Sequence, residues 1–132
     1  MDRLLLDTCA LLWLANGEPL RQEARAAIAA GARHVSPISA WEIANLARKN
    51  RLALTMPVAA WINQAFAAIG VRQPDLTTEI LVESCGLPGS PPDDPADRII
   101  IASARAHQLT IVTRDSAILA YEQAGHARAT RC

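Results

Sequence analysis

Short apolar runs that give way to an acidic residue and then to a helix-forming stretch recur along this chain, and they restrict its fold more than any other feature. Arg3–Leu6 runs straight into Asp7, and Leu109–Val112 passes through Thr113 and Arg114 into Asp115. An apolar run this short and without alternation reads as a strand buried on both faces, the kind found in parallel sheets covered by helices. In such a sheet every strand-to-helix junction lies at the same edge, so carboxylates far apart in sequence meet there. Glu42 and Asp97, near the openings of two further helices, bring the number of acids at such junctions to four.

Helical signals fill the intervals. Thr8 is placed to cap a helix carrying Ala10 to Ala15 and stopping near Asn16-Gly17, and Pro19 opens a second with Leu20, Ala24, Ala27 and Ile28 on one face, closed by Gly31. A weak strand at His34–Ser36 precedes a helix over Ser39–Lys49. A further helix from Pro57 to Gly70 repeats Val58, Ile62, Ala65, Phe66 and Ile69, and the pair reads as a helical hairpin. Val71 begins a short stretch expected to be a strand. Thr77 caps a helix to about Cys85, and residues 86–93, with three prolines and two glycines, form a loop. Asp94-Pro95 opens the next helix, Ser116 to Gln123 is the last, and Gly125 to Cys132 supplies an edge strand. The expected architecture is a three-layer α/β/α sandwich with a mostly parallel central sheet, formed by residues 1–132 as one domain.

Composition narrows the function. The 26 alanines favour closely packed helices over a bulky all-β core. The 13 basic and 13 acidic residues cancel, so the strong positive excess typical of many nucleic-acid binders is missing. Without the four junction acids the remainder is basic, and 12 of its 13 cations are arginine, the side chain best shaped for phosphate. Cys9, Cys85 and Cys132 lack CxxC spacing, which points away from zinc and from a disulfide framework and toward a reducing cytoplasm. No apolar run is long enough for a membrane span. Nothing resembles a P-loop, a dinucleotide-binding loop or a serine-nucleophile elbow.

Each acid also has an ordinary structural explanation. Ser39 and Glu42 match an S-x-x-E capping box; Asp94, Pro95 and Asp97 fit the cap, first and third positions of a helix; Asp115 can cap the last one. Asp7 is harder to account for in that way, because an acid ending a buried strand needs solvent, a cation or several donors to offset its desolvation. Clustered carboxylates stay charged at neutral pH only if a cation joins them, and an all-oxygen site suits Mg²⁺, with Mn²⁺ as a substitute. His34, His107 and His126 show no ligand spacing. Trp41 and Trp61 lie beside the apolar stripes of their helices, as a partner surface would require.

Four segments, LLLDTCALLWL from Leu4, VSPISAWEIANL from Val35, DPADRIIIASA from Asp94 and IVTRD from Ile111, occur in the order and spacing of a PIN domain, and the chain resembles a VapC-type toxin ribonuclease from Arg3 to about Ala124. The resemblance implies an endoribonuclease that hydrolyses RNA with Mg²⁺ at an acidic quartet. Asp7, Glu42, Asp97 and Asp115 fall on the family's acidic positions and Thr113 on its frequent hydroxyl position. Asp7 and Asp97 are expected to ligate metal most directly and Glu42 through water, with Asp115 and Thr113 holding a second ion or the attacking water. The resemblance further implies a homodimer and a VapB-like antitoxin that lies along a helical groove and offers a basic side chain to the acids. Two other readings stay open. A catalytically inactive scaffold that binds RNA or antitoxin is one. A Mg²⁺-dependent phosphoacceptor is the other, and it fits worse, since its strand-end lysine has no counterpart when Lys49, inside a helix, is the sole lysine.

Overall fold

Arg3–Leu6 (β1) is an interior strand, as its apolar run requires, and Leu4, Leu5 and Leu6 are at most 1% exposed. The structure, a computed structural model, describes residues 3–132. Ala32–Val35 (β2), Thr110–Thr113 (β3) and Ala129–Arg131 (β4) complete a sheet of order β2-β1-β3-β4 in which every pairing is parallel. The expected mixture of directions is thus resolved as wholly parallel among the described residues, and the tail does supply the edge strand.

Alternation along β1 divides the interior in two. Leu4 and Leu6 join Ala10 and Leu11 of α1 (Thr8–Ala15), Ala24 and Ile28 of α2 (Gln22–Ala30), Ile43 of α3 (Pro37–Arg48) and Ile62 and Ile69 of α4 (Val58–Ile69). Leu5 faces the other way, toward Ile80 of α5 (Thr78–Ser84), Ile100 and Ile101 of α6 (Pro95–His107) and Ile118 and Tyr121 of α7 (Ser116–Gln123). Successive strand residues point to opposite faces, so one strand seals both cores and the sandwich has three layers. Truncating Leu5 to alanine would cost about 2–5 kcal/mol, since a site packed on all sides cannot collapse around the void.

Several boundaries differ from the sequence reading, each for a local reason. Asp7, not Thr8, caps α1: its carboxylate accepts from Ala10 N–H, and Thr8 becomes the first helical residue. Ser36 caps α3 with Pro37 directly after it, so the S-x-x-E capping box is not formed and Glu42 sits in the second turn. Pro19 lies outside α2, which starts at Gln22 without a side-chain cap. The strand expected at Val71 reduces to one parallel bridge between His34 and Arg72. Gly70, at φ +76°, closes α4 in the left-handed conformation that costs glycine no steric penalty.

The sheet order positions the site. From β1 the chain moves outward to β2, and it later returns to place β3 on the opposite side of β1, so the connections diverge between β1 and β3. A crevice opens beyond the carboxyl ends of strands at such a point. Asp7 N–H still donates to Val112 C=O (3.2 Å), which carries the ladder to the edge of that crevice.

Candidate active site

Asp7 leaves β1 and turns at once into α1, which fixes both of its carboxylate oxygens. Oδ1 accepts from Ala10 N–H (2.8 Å) and Oδ2 from the Thr113 hydroxyl (2.5 Å) at the end of the neighbouring β3. Thr113, fully buried, in turn accepts from Asp115 N–H (2.9 Å), and the Asp115 carboxylate caps α7 through Ile118 N–H (2.9 Å). One threonine hydroxyl therefore ties two acids together across adjacent strand ends. Burial raises the Asp7 pKa, the Thr113 and Ala10 hydrogen bonds lower it, and the Asp115 charge raises it again; the upward influences prevail.

Glu42 reaches the crevice from the second turn of α3. Its Oε1 accepts from the Thr8 hydroxyl (2.5 Å), and that hydroxyl is also bonded to Ser39 Oγ (2.8 Å), one helical turn before Glu42. A threonine hydroxyl has one proton, so when it goes to the carboxylate Ser39 must supply the other bond. Ser39 and Thr8 are both buried, and together they orient Glu42. The Glu42 pKa is raised by burial, lowered in part by Thr8, and raised further by Asp94 and Asp7. Ser39 thus serves Glu42 by contact across α1 and α3 rather than by the capping box that its spacing suggested.

Asp97 differs from both. Asp94 caps α6 by accepting from Asp97 N–H (2.9 Å), leaving the Asp97 carboxylate in the crevice with nothing that lowers its pKa. Burial, then Asp94, Asp115, Glu42 and Asp7, push it up to about 7. Asp94 acts on the site through its charge, and its own carboxylate is spent on the helix cap.

These four acids line a single cleft of about 210 Å³, together with Thr8, Cys9, Trp13 and Arg114. Thr113 adjoins it through Asp7 and Asp115. Thr8, Ser39 and Arg114 are contributors that spacing did not reveal; their roles depend on contacts between separate elements. Burial and then the four carboxylates push the Cys9 thiol up to about 11, although the residue as a whole is exposed, so it is a neutral thiol and offers no soft thiolate ligand. The histidines lie elsewhere: His34 Nδ1 bonds Leu4 C=O (3.1 Å), His107 Nε2 bonds Asp75 C=O (2.8 Å), and His126 packs on Tyr121.

The donor set is hard and rich in negative charge. Among the described residues no three His, Cys, Asp or Glu side chains form a ready-made cage around one point. The carboxylate oxygens that line the cleft are donors of the hard kind that Mg²⁺ takes, one or two at a time beside waters and substrate oxygens.

A larger groove, about 650 Å³, lies away from the acids between α1, α2 and α4, where Leu14, Ile28, Trp61, Ala65 and Ile69 form its apolar wall. Trp61 is half-buried there, whereas Trp41 stands 59% exposed on α3. No helix among the described residues is long and apolar enough to cross a membrane.

Comparison with known proteins agrees with this architecture. The PIN domain family model matches residues 4–123. Ribonuclease VapC22 of Mycobacterium tuberculosis is 38% identical over 117 residues, covering 87% of this chain and 88% of that protein. The fold recurs in VapBC2 from Rickettsia felis, solved bound to a DNA fragment from its promoter, with a TM-score of 0.68 at 12% identity and 97% of each chain covered. It recurs also in a toxin-antitoxin complex from Klebsiella pneumoniae, with a TM-score of 0.59 at 23% identity, covering 86% of this chain and 87% of that one. With a continuous family match, a relative of this identity and the same three-layer fold, the chain belongs to the PIN-domain family and is of the VapC kind.

Proposed function

We propose that this protein is a Mg²⁺-dependent endoribonuclease that acts in the cytoplasm as the toxin of a toxin–antitoxin pair, with Asp7, Glu42, Asp97 and Asp115 as its metal-binding acids and Thr113 as the hydroxyl that links Asp7 to the start of the Asp115 helix. The observation that carries the reading is the arrival of four carboxylates, from four separate junctions, in one cleft at the point where the strand connections diverge. Capping accounts for Asp115 and for half of Asp7, but for neither Asp97 nor Glu42.

A bound divalent cation supplies a water made nucleophilic at neutral pH and neutralises charge that develops on the phosphodiester. The chain itself does the positioning. Thr113 holds Asp7 in place by donating to Oδ2 and fixes the start of α7 by accepting from Asp115 N–H. Thr8, backed by Ser39, holds Glu42. Asp97, its pKa at about 7 without a cation, is the acid whose ionisation depends most on metal, since a nearby positive charge returns a carboxylate to its charged form. Mn²⁺, also an oxygen-ligand ion, is expected to substitute.

The relatives named for VapBC and toxin–antitoxin complexes support a VapB-like antitoxin as partner, and the groove walled by Trp61 offers the apolar surface that a partner helix or extended segment would cover. A basic antitoxin side chain among the acids would displace metal. A homodimer is inherited from the family alone. The test is incubation of the purified protein with total cellular RNA in Mg²⁺ and in chelator, with mapping of the cut ends. Cleavage in Mg²⁺ only, absent from Asp7→Asn, is the expected result; equal cleavage by Asp7→Asn or in chelator overturns it. If no small protein encoded beside this gene binds the chain or suppresses cleavage, and Trp61→Ala leaves binding unchanged, a nuclease without the toxin role remains.

A further inference from the structure

An arginine beside four carboxylates ordinarily pairs with one of them, yet Arg114 is held by other partners. Its Nε–H donates to Cys132 C=O (2.8 Å) and Nη2–H to Pro19 C=O (2.9 Å), and its guanidinium lies over the Trp13 ring, 4.0 Å from the centroid. Three contacts from three parts of the chain fix one planar group: the end of β4, the α1–α2 connection and α1 itself. Arg114 is nevertheless exposed and lines the acidic cleft, and among the described residues it is the one basic side chain that does so.

We propose that Arg114 is a substrate-binding residue that grips a backbone phosphate of single-stranded RNA next to the bond being cut; this rests on the ribonuclease reading above. A guanidinium has five N–H donors in a flat fork. The two carbonyl bonds consume Nε–H and one Nη2–H, which lie along one side of the plane. The two Nη1–H and the second Nη2–H remain, and their outer edge matches two phosphate oxygens. Because the group is immobilised on folding, little further rotamer freedom is lost when substrate arrives. The need for such a cation follows from the acids: a polyanion entering a carboxylate-lined cleft is repelled wherever metal does not face it, and a fixed positive charge on the wall offsets that repulsion. The Trp13 face under the guanidinium keeps it oriented without neutralising it.

The experiment measures binding of a short fluorescein-labelled single-stranded RNA of mixed sequence to the full chain by anisotropy over a range of salt. An Asp97→Asn background prevents cleavage, and melting curves establish that each variant is folded. Arg114→Gln is expected to bind about tenfold more weakly at low salt, the loss of one charged hydrogen-bonding contact. Its plot of log affinity against log salt should be shallower by about 0.7, the loss of one phosphate contact on a single strand. Arg114→Lys should keep the slope while losing several-fold in affinity, because it retains the charge and loses the fork. A folded Arg114→Gln with unchanged affinity and slope overturns the proposal. If Arg114→Gln does not fold, Arg114→Lys binding as tightly as the parent overturns it instead. RNA binding and metal-dependent cleavage that persist while the Arg114 variants behave like the parent remove this inference alone; a parent that neither binds nor cuts RNA removes the ribonuclease reading with it.

Discussion

The two edges of the sheet hold charge in opposite ways. At the edge where the strands begin, cations and backbone satisfy one another. Arg33 donates from Nε to Ile28 C=O (2.8 Å) and from Nη1 to Ile69 C=O, closing the ends of α2 and α4, and Arg3 Nη1 donates to His107 C=O (2.9 Å) at the end of α6. Positive side chains at helix C-termini meet both the free carbonyls and the negative end of the dipole. At the edge where the strands end, acids outnumber the helix N-termini that could use them. Asp94 and Asp115 serve as caps and Asp7 divides itself between a cap and Thr113, while the carboxylates of Glu42 and Asp97 cap nothing. Charge at one edge is matched by backbone partners; at the other a surplus of one sign is left, which the proposed cation would neutralise.

If this contrast holds, the largest effects belong to the acidic edge and appear in activity. Asp7→Asn or Asp97→Asn should lower RNA cleavage by about a thousandfold, the scale of losing a metal that stabilises several kcal/mol of developing charge, while thermal melts in chelator still report a folded protein. Variants that unfold in chelator would mean that these acids act chiefly as caps. Next comes the opposite edge: Arg33→Ala should cost about 2 kcal/mol in denaturant unfolding, since two half-buried carbonyls lose a charged donor, and should leave Mg²⁺ affinity unchanged. A loss of affinity without a loss of stability would break the contrast outright.

Smaller effects separate the acids from one another. Thr8→Val should weaken Mg²⁺ binding, measured by calorimetry, by about tenfold, the usual result of removing a hydrogen bond that orients a ligand, and Thr8→Ser should restore it. Were Ser no better than Val, the hydroxyl would have no part in holding Glu42. The smallest effect concerns pH. Asp97 in the metal-free protein has its pKa raised from 3.8 to about 7, so the folded state retains a proton that the unfolded chain gives up. The contribution of that group is fully present below the ordinary aspartate range and is lost as pH rises from 3.8 to about 7. Asp97→Asn should therefore melt roughly 4 °C or more above the parent at the neutral end of that window in chelator, with the difference shrinking at the acid end. Saturating Mg²⁺ should reverse the ranking, because only the parent gains from a tightly held cation.

The sequence alone determined the layers and the identity of the acids. Three leucines before an aspartate fit a strand covered on both sides, Asp94 followed by Pro95 fits a cap and the first position of a helix, and the period of α4 could be read directly because helix hydrogen bonds join residues four apart. Local signals were ambiguous where two local rules competed: Ser36-Pro37 and Ser39-x-x-Glu42 are both helix starts on paper, and Pro directly after a cap prevailed. The tertiary structure alone decided who meets whom in the cleft. Thr8 and Glu42 are 34 residues apart and Asp7 and Thr113 are 106 apart, and Arg114 reaches Pro19 across 95 residues. Such pairs are brought together by the order of strands in the sheet and by the return of the chain through α6 to β1's free side, and no periodicity within one element encodes that order. The carboxylates and Thr113 could therefore be listed from the sequence, whereas the Thr8 and Ser39 hydroxyls that aim Glu42 and the arginine clamped beside the acids emerge only from the crossing of distant segments.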